Sequence, residues 1–469
     1  MPRDRSSSRS HRHRSYNSPD MRQVSSDDRT LPVPNTYSEH KREKRSHGNG
    51  KMSRHIKPAG ESGRKGFHPI HFSKISFRSA SRASLLCNFL WPFVPAAIAV
   101  RYAMPDNHIT IFALAYIAMV PCANLIGFAG QELSRKLPHV LGVLLEITIG
   151  SIVEIILFMV LLSKDMFFVI KAAIMGSILA TMLLCLGACF FVGGMLKEEQ
   201  EFNEAISEAG SGLLLTAGVV LALPTVFEYG VGNGESLTAA NLDHKTLQIS
   251  RVISVLLIIA YLVYVFYQAR THHGIYAAVF EQDEHNDRDK HKDQAKAKLT
   301  LTECIIALVI SVGLVAWTAV ILVMQIEHVI ERGDVSDAFM GLILVPLVEK
   351  LAEHLTAIDE AWDNQINLAM SHVLGATLQT ALFNAPLAVV VSWGLNKGLD
   401  LNFAVFDLVM LILAILTVGR FLQDQKSNYL EGFLLIILYV AIAVAAFYYP
   451  NPTGHGSEGA AEGSSEGGH

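Results

Sequence analysis

The chain has 469 residues, of which 51% are hydrophobic and only 17% charged, and its mean hydropathy is +0.33. Length alone would allow about three soluble domains, but this balance excludes an ordinary water-soluble protein and points to a membrane bundle. The net charge of -5 is unevenly spread: residues 1–82 hold nineteen Lys and Arg against seven Asp and Glu, and the remainder holds nineteen against thirty-six.

Residues 1–82 form a basic leader rich in Ser, Arg, His and Gly, with too few large apolar side chains to offset chain entropy, and are expected to be disordered. The leader lacks the early apolar run of a secretory signal, and Asp4, Asp20, Asp27 and Asp28 interrupt any transit-peptide pattern. Contact with anionic lipid, phosphoregulation at Ser6 to Ser10, or no specific partner at all are open to it.

Apolar runs of bilayer length follow near 84–103, 109–130, 138–162, 168–195, 211–229, 250–269, 299–326, 337–358, 365–393, 403–420 and 428–449, eleven in all. Residues 84–269 make a first membrane half and 299–449 a second. Between them, 270–298 is a charged linker, read as solvated, with weak cation sensing as the alternative. Residues 450–469 read as a flexible Gly/Ser/Glu tail. Lys and Arg in alternate connections put the leader, Arg135, Lys136, Lys197, the linker, Arg420 and Lys426 on one side, which the positive-inside rule assigns to the cytosol, N-terminus included.

Five cysteines, Cys87, Cys122, Cys185, Cys189 and Cys304, lie in or beside apolar runs and imply no disulfide framework. Cys185 and Cys189 share a helical face but read as small hydrophobes rather than a soft-metal pair.

A shift of 199 residues overlays Gly142 on Gly341, Glu154 on Glu353, Gly176 on Gly375 and Thr181 on Thr380 without a gap. The copies, about 141–195 and 340–394, begin five spans apart, so the second must cross in the opposite sense: an inverted repeat, as in many transporters. In each copy the first helix carries an acid, Glu154 or Glu353, and the second carries small and polar residues that permit close backbone approach. Gly341 and Pro346 add the prospect of local unwinding.

A carboxylate at mid-bilayer costs several kcal/mol, on the order of 3, unless a proton, a cation or a basic partner neutralises it. One such acid can be a structural hydrogen-bonding group; two at matching repeat positions point to a site exchanging protons for a hard cation. Oxygen donors from Glu, Ser and Gln suit Ca2+, Mn2+ or Na+ better than soft metals.

Gly176-Ser177-Ile178-Leu179, Leu186 to Phe191, Phe339 to Pro346, Ala352-Glu353-His354, Gln379 to Phe383 and Lys426 to Gly432 together resemble the cation/proton exchanger family of the Ca2+/cation antiporter superfamily, in its fungal vacuolar branch. The resemblance covers roughly Leu85 to Pro450. It implies an all-α membrane fold of the sodium/calcium exchanger type in the vacuolar membrane. Its expected partners are Ca2+ or a related cation and H+, with the lipid bilayer around it, no cofactor and no nucleic acid. Glu154 and Glu353 would be shared cation and proton ligands, assisted by Ser151, Ser177, Gln379 and His354, the last as a proton shuttle or as a hydrogen-bonding contact with a neighbouring helix.

The sequence departs from the family pattern. Ser151 and Lys350 stand three residues before the two glutamates, where the family has Asn, and Lys350 can pair with Glu353 one turn on. Thr181, Ala376 and Thr377 replace Asn and Ser of the second-helix motifs. Acids are added at Glu146 and Glu349, which would modulate the site, and at Asp359, Glu360 and Asp363, which read as a solvated helix end. A Ca2+/proton antiporter, an exchanger of altered selectivity, monovalent ions included, and a transport-silent regulatory paralogue are therefore the readings to separate. An enzyme is not among them: there is no His-Glu-x-x-His zinc helix, Walker loop or membrane triad.

Overall fold

Lipid offers the backbone no hydrogen bonds, so a chain this apolar closes them within helices. The computed structural model describes residues 62–79, 81–232, 239–291, 296–333 and 335–450. Disorder or phosphoregulation over 1–61, the flexible tail beyond 450 and residues 292–295 of the linker lie outside the described residues.

Helix α1 (Pro69–Arg78) precedes the spans. The first span is α2 (Arg82–Asn88) with α3 (Phe93–Ala103), the second α4 (His108–Ser134), and the third α5 (His139–Gly150) with α6 (Ile152–Ser163). The fourth joins α7 (Phe167–Leu179) to α8 (Leu186–Gly194) through a π-helical turn, Ala180–Cys185. Helices α9 (Glu204–Gly232) and α10 (Ala239–Phe266) complete the first half, α11 (His273–Asn286) lies in the connection, and α12 (Leu301–Gly333) opens the second half. The eighth span runs from α13 (Asp337–Phe339) through a π turn, Met340–Leu344, into α14 (Val345–Trp362). The ninth runs from α15 (Ile366–Gln379) through Thr380–Asn384, again π-helical, into α16 (Ala385–Gly394); α17 (Val405–Leu422) and α18 (Tyr429–Phe447) follow. Ten helices among the described residues are long and apolar enough to span a bilayer. The expected eleventh is the eighth span, which Glu349, Lys350, Glu353 and Glu360 make too polar to count among them.

The fourth and ninth spans form the centre: 83% of the apolar window of each is buried, against 22% for the sixth, whose Val252, Leu256, Ile259 and Leu262 face outward as lipid requires. The π turns at Ala180–Cys185 and Thr380–Asn384 occupy equivalent places in the two copies. Each adds a residue to the turn and re-aims the side chains beyond it, a common device at functional sites. The π turn at Met340–Leu344 is the unwinding expected near Gly341 and Pro346, and Tyr116 Oη donates to the Leu344 carbonyl at 2.9 Å. In the first copy the corresponding helix instead breaks at Ser151, between α5 and α6.

Two segments differ from expectation. The end of the leader is helical: α1 starts with Pro at its first turn and buries Ile75 against Leu125, Phe128 and Leu299, while the His68 N–H donates to Glu303 Oε1 at 3.1 Å. The apolar residues Phe72 and Ile75 suffice for one face once the bundle supplies the other. The linker is likewise not merely solvated. Helix α11 buries Tyr276, Val279 and Phe280, and Asp283 accepts from Asn367 Nδ2 and the Leu368 N–H, both at 2.9 Å. Burial raises the Asp283 carboxyl above the usual aspartate range, opposed by these two bonds. A two-residue ladder, β1 (Gln200–Glu201) against β2 (Lys426–Ser427), is antiparallel and ties two further connections on this face.

The copies meet where small residues allow it. A β-carbon added at Gly176 would overlap the Leu342 carbonyl in the π turn of the eighth span. Because that obstacle is backbone, no rotamer relieves it, and Gly176→Ala should cost about 1–3 kcal/mol. Thermal unfolding in detergent checks this; an unchanged melting temperature would mean that the two helices separate freely.

Candidate functional site

Repeat symmetry brings the first helices of the two copies together at the bundle centre, and with them their acids. Lys350 Nζ, on α14, lies 2.7 Å from Glu154 Oε2 on α6 and 3.1 Å from Glu353 Oε2 on its own helix. Lys350 and Glu154 are each 1% exposed. The ion pair expected from the i, i+3 spacing with Glu353 is present, and the same ammonium reaches across to the other repeat. It occupies the place where a cation shared by both carboxylates would sit.

Glu154 is further held by the ninth span. Thr380 Oγ1 lies 3.0 and 2.9 Å from its two oxygens, and Asn384 Nδ2 donates to Oε2 at 2.7 Å. Thr380 and Asn384 bracket the π turn, which places both toward Glu154. Neither was singled out from the sequence. Thr380 was visible as the repeat partner of Thr181 and within the Gln379 to Phe383 segment, whereas Asn384 has Cys185 at its equivalent position, so no pattern marked it.

Several buried polar atoms around this centre have no hydrogen-bond partner among the described residues: both carboxyl oxygens of Glu349, Glu353 Oε1, Ser177 Oγ, Gln379 Oε1 and Asn384 Oδ1. Unpaired buried oxygens are costly, by about 1–3 kcal/mol each. Such a set, mostly carboxyl and amide oxygen, is what a proton or a hard cation would satisfy. A cavity of about 40 Å³ adjoins them, lined by Gly150, Thr181, Glu349, Glu353 and His354 and reaching Glu146 and His372.

The structure gives Ser151 and His354 partners of their own and overturns the expected exposure of Glu360. Ser151 donates its hydroxyl to the Ile147 carbonyl at 3.2 Å, a local bond at the helix break. His354 makes no hydrogen bond to Glu353; its Nε2 lies 3.4 Å from Thr181 Oγ1 on the fourth span, a contact with a neighbouring helix. Glu360 is not on a solvated helix end: it is 8% exposed and accepts from His372 Nδ1 at 2.7 Å. Glu146 lines the far part of the cavity and accepts from Ser134 Oγ at 2.9 Å, away from the paired glutamates. Cys185 and Cys189 are buried in the apolar core.

Removing the ammonium alone strands carboxylates in a dry core, at a cost of about 3–5 kcal/mol. Lys350→Met should therefore lower the unfolding temperature in metal-free detergent, and adding Glu154→Gln should recover part of the loss. A double variant no better than the single one would show that Lys350 neutralises nothing at Glu154.

Residues 107–270 and 304–448 match the family model for sodium/calcium exchanger proteins. Among curated proteins, the chain is 32% identical over 393 residues to vacuolar cation/proton exchanger 2 of Arabidopsis thaliana, covering 82% of this chain and 87% of the relative. It is 29% identical over 363 residues to the vacuolar calcium ion transporter of Schizosaccharomyces pombe, covering 77% and 85%. Among solved structures, the Ca2+/H+ antiporter protein YfkE superposes with a TM-score of 0.63 at 27% identity, covering 78% of this chain and 99% of that one.

Proposed function

The chain belongs to the sodium/calcium exchanger protein family, and from that premise we propose that it is a cation/proton antiporter that moves Ca2+ or a related cation from the cytosol into the vacuole. The observation that carries the reading is the convergence of Glu154 and Glu353, one from each inverted repeat, on a single cation, here the Lys350 ammonium. Two carboxylates facing one point can hold a metal ion or protons but are costly when empty, which couples entry of one to exit of the other. Relative movement of the repeats would expose that point alternately to the two faces. Glu349, Ser177 and Gln379 supply the further unpartnered oxygens. The leader and the connections holding Lys136, Lys197 and Arg270 face the cytosol on this reading.

Lys350 favours a second reading of the selectivity. A tethered ammonium competes with an entering cation for both carboxylates and removes one unit of negative charge from the site. A divalent ion must displace it, whereas one proton or one monovalent ion balances what remains. The experiment is proton-gradient-driven uptake of Ca2+, Mn2+ and Na+ into vesicles. Wild-type uptake, reduced to background by Glu154→Gln and by Glu353→Gln, is the expected result, and the ion taken up separates the two readings. No uptake of any cation by the wild type, with Ca2+ uptake gained in Lys350→Asn, would overturn antiport and leave a silenced scaffold.

A further inference from the structure

Glu146 lies eight residues before Glu154, and Glu360 seven after Glu353. Because the repeats are inverted, both displacements run toward the same face, roughly 11 Å from the paired glutamates at the rise of a helix. There the two acids meet His372 of α15, and one ligand atom from each of the three residues lies within 4.8 Å of the others. We propose that Glu146 and His372 Nε2, with Glu360 holding the imidazole from behind, form a second cation site, distinct from the exchange centre, that takes a first-row transition divalent ion such as Zn2+.

The atoms around His372 are arranged as a ligand requires. Its Nδ1–H donates to Glu360 Oε2 at 2.7 Å, which leaves Nε2 as the ring's other functional atom. Nε2 is buried, has no hydrogen-bond partner among the described residues, and belongs to a residue only 9% exposed. It faces Glu146 Oε2 at 4.0 Å, too long for a hydrogen bond. Two metal–ligand bonds of about 2.1 Å would just span that gap. A carboxylate behind a histidine is the usual support of a metal-ligating imidazole, fixing tautomer and ring orientation. Glu146 is similarly steadied by Ser134 Oγ. Both Glu146 and His372 line the cavity, which provides access. Imidazole nitrogen with carboxylate oxygen favours a transition ion over Ca2+ or Mg2+, in contrast to the oxygen-only set at Glu154 and Glu353.

Glu146 belongs to the first repeat and His372 and Glu360 to the second, so a bound ion would tie the repeats together on one face. Inhibition of transport by that ion rests on the antiport reading; binding does not. The test is equilibrium dialysis of purified full-length protein in detergent against Zn2+, with metal content measured by mass spectrometry. One Zn2+ per chain is expected, with affinity lowered roughly tenfold or more in His372→Gln and Glu146→Gln and by about 10–100-fold in Glu360→Gln, but retained in Glu154→Gln. Absence of binding by the wild type, wild-type affinity in both His372→Gln and Glu146→Gln, or loss in Glu154→Gln would overturn the proposal. The Glu146 side chain sits at the rim, 15% exposed, so Glu146→Gln decides the matter if His372→Gln does not yield monodisperse protein.

Discussion

Burying a charge in a lipid-embedded core is tolerable only when an opposite charge is held against it with good geometry. Here Lys350, 1% exposed, is held by Glu154 at 2.7 Å and Glu353 at 3.1 Å, and the surrounding architecture follows from that demand. The eighth span must enter the bundle centre despite its polarity. The third and eighth spans must meet at matching depth, and the ninth must present Thr380 and Asn384 to the remaining lone pairs of Glu154. The π turns serve this placement, because each rotates the following side chains relative to a regular helix.

The two halves of the site are unequal. Glu154 is saturated by an ammonium, a hydroxyl and an amide, whereas Glu353 keeps an unpartnered Oε1 beside the cavity and Glu349 has no partner for either oxygen among the described residues. The first repeat thus supplies an anchored carboxylate and the second the carboxyl oxygens still able to take a proton or an ion. Gly150, at the break in the third span, permits the approach: a β-carbon there would stand 2.5 Å from Glu353 Oε1. The same inverted geometry that brings Glu154 and Glu353 together also gathers Glu146, Glu360 and His372 nearer one face.

Legibility in the sequence differed by kind of feature. Spans, repeats and the paired acids could be read because bilayer length and a gap-free 199-residue shift are properties of the chain itself. The role of Lys350 was half legible: the i, i+3 contact with Glu353 follows from helix geometry, but the contact with Glu154 joins residues 196 positions apart. Asn384 and the Glu360–His372 bond were illegible for the same reason, since their partners come from other helices. Helices α1 and α11 were missed because their few apolar residues look insufficient until the bundle offers a complementary surface.

The sequence by itself determined that this is a helical membrane protein with two inverted copies, each carrying one intramembrane glutamate. Local composition and period suffice for that, because lipid leaves the backbone few alternatives. Only the tertiary structure decided which oxygens point at which charge: that one ammonium bridges both copies, that Ser151 bonds back to Ile147 while His354 meets Thr181 of the fourth span, and that Glu360 is buried. Contacts between distant helices depend on rotation and register, which a π turn or a glycine contact changes without leaving a periodic mark in the chain.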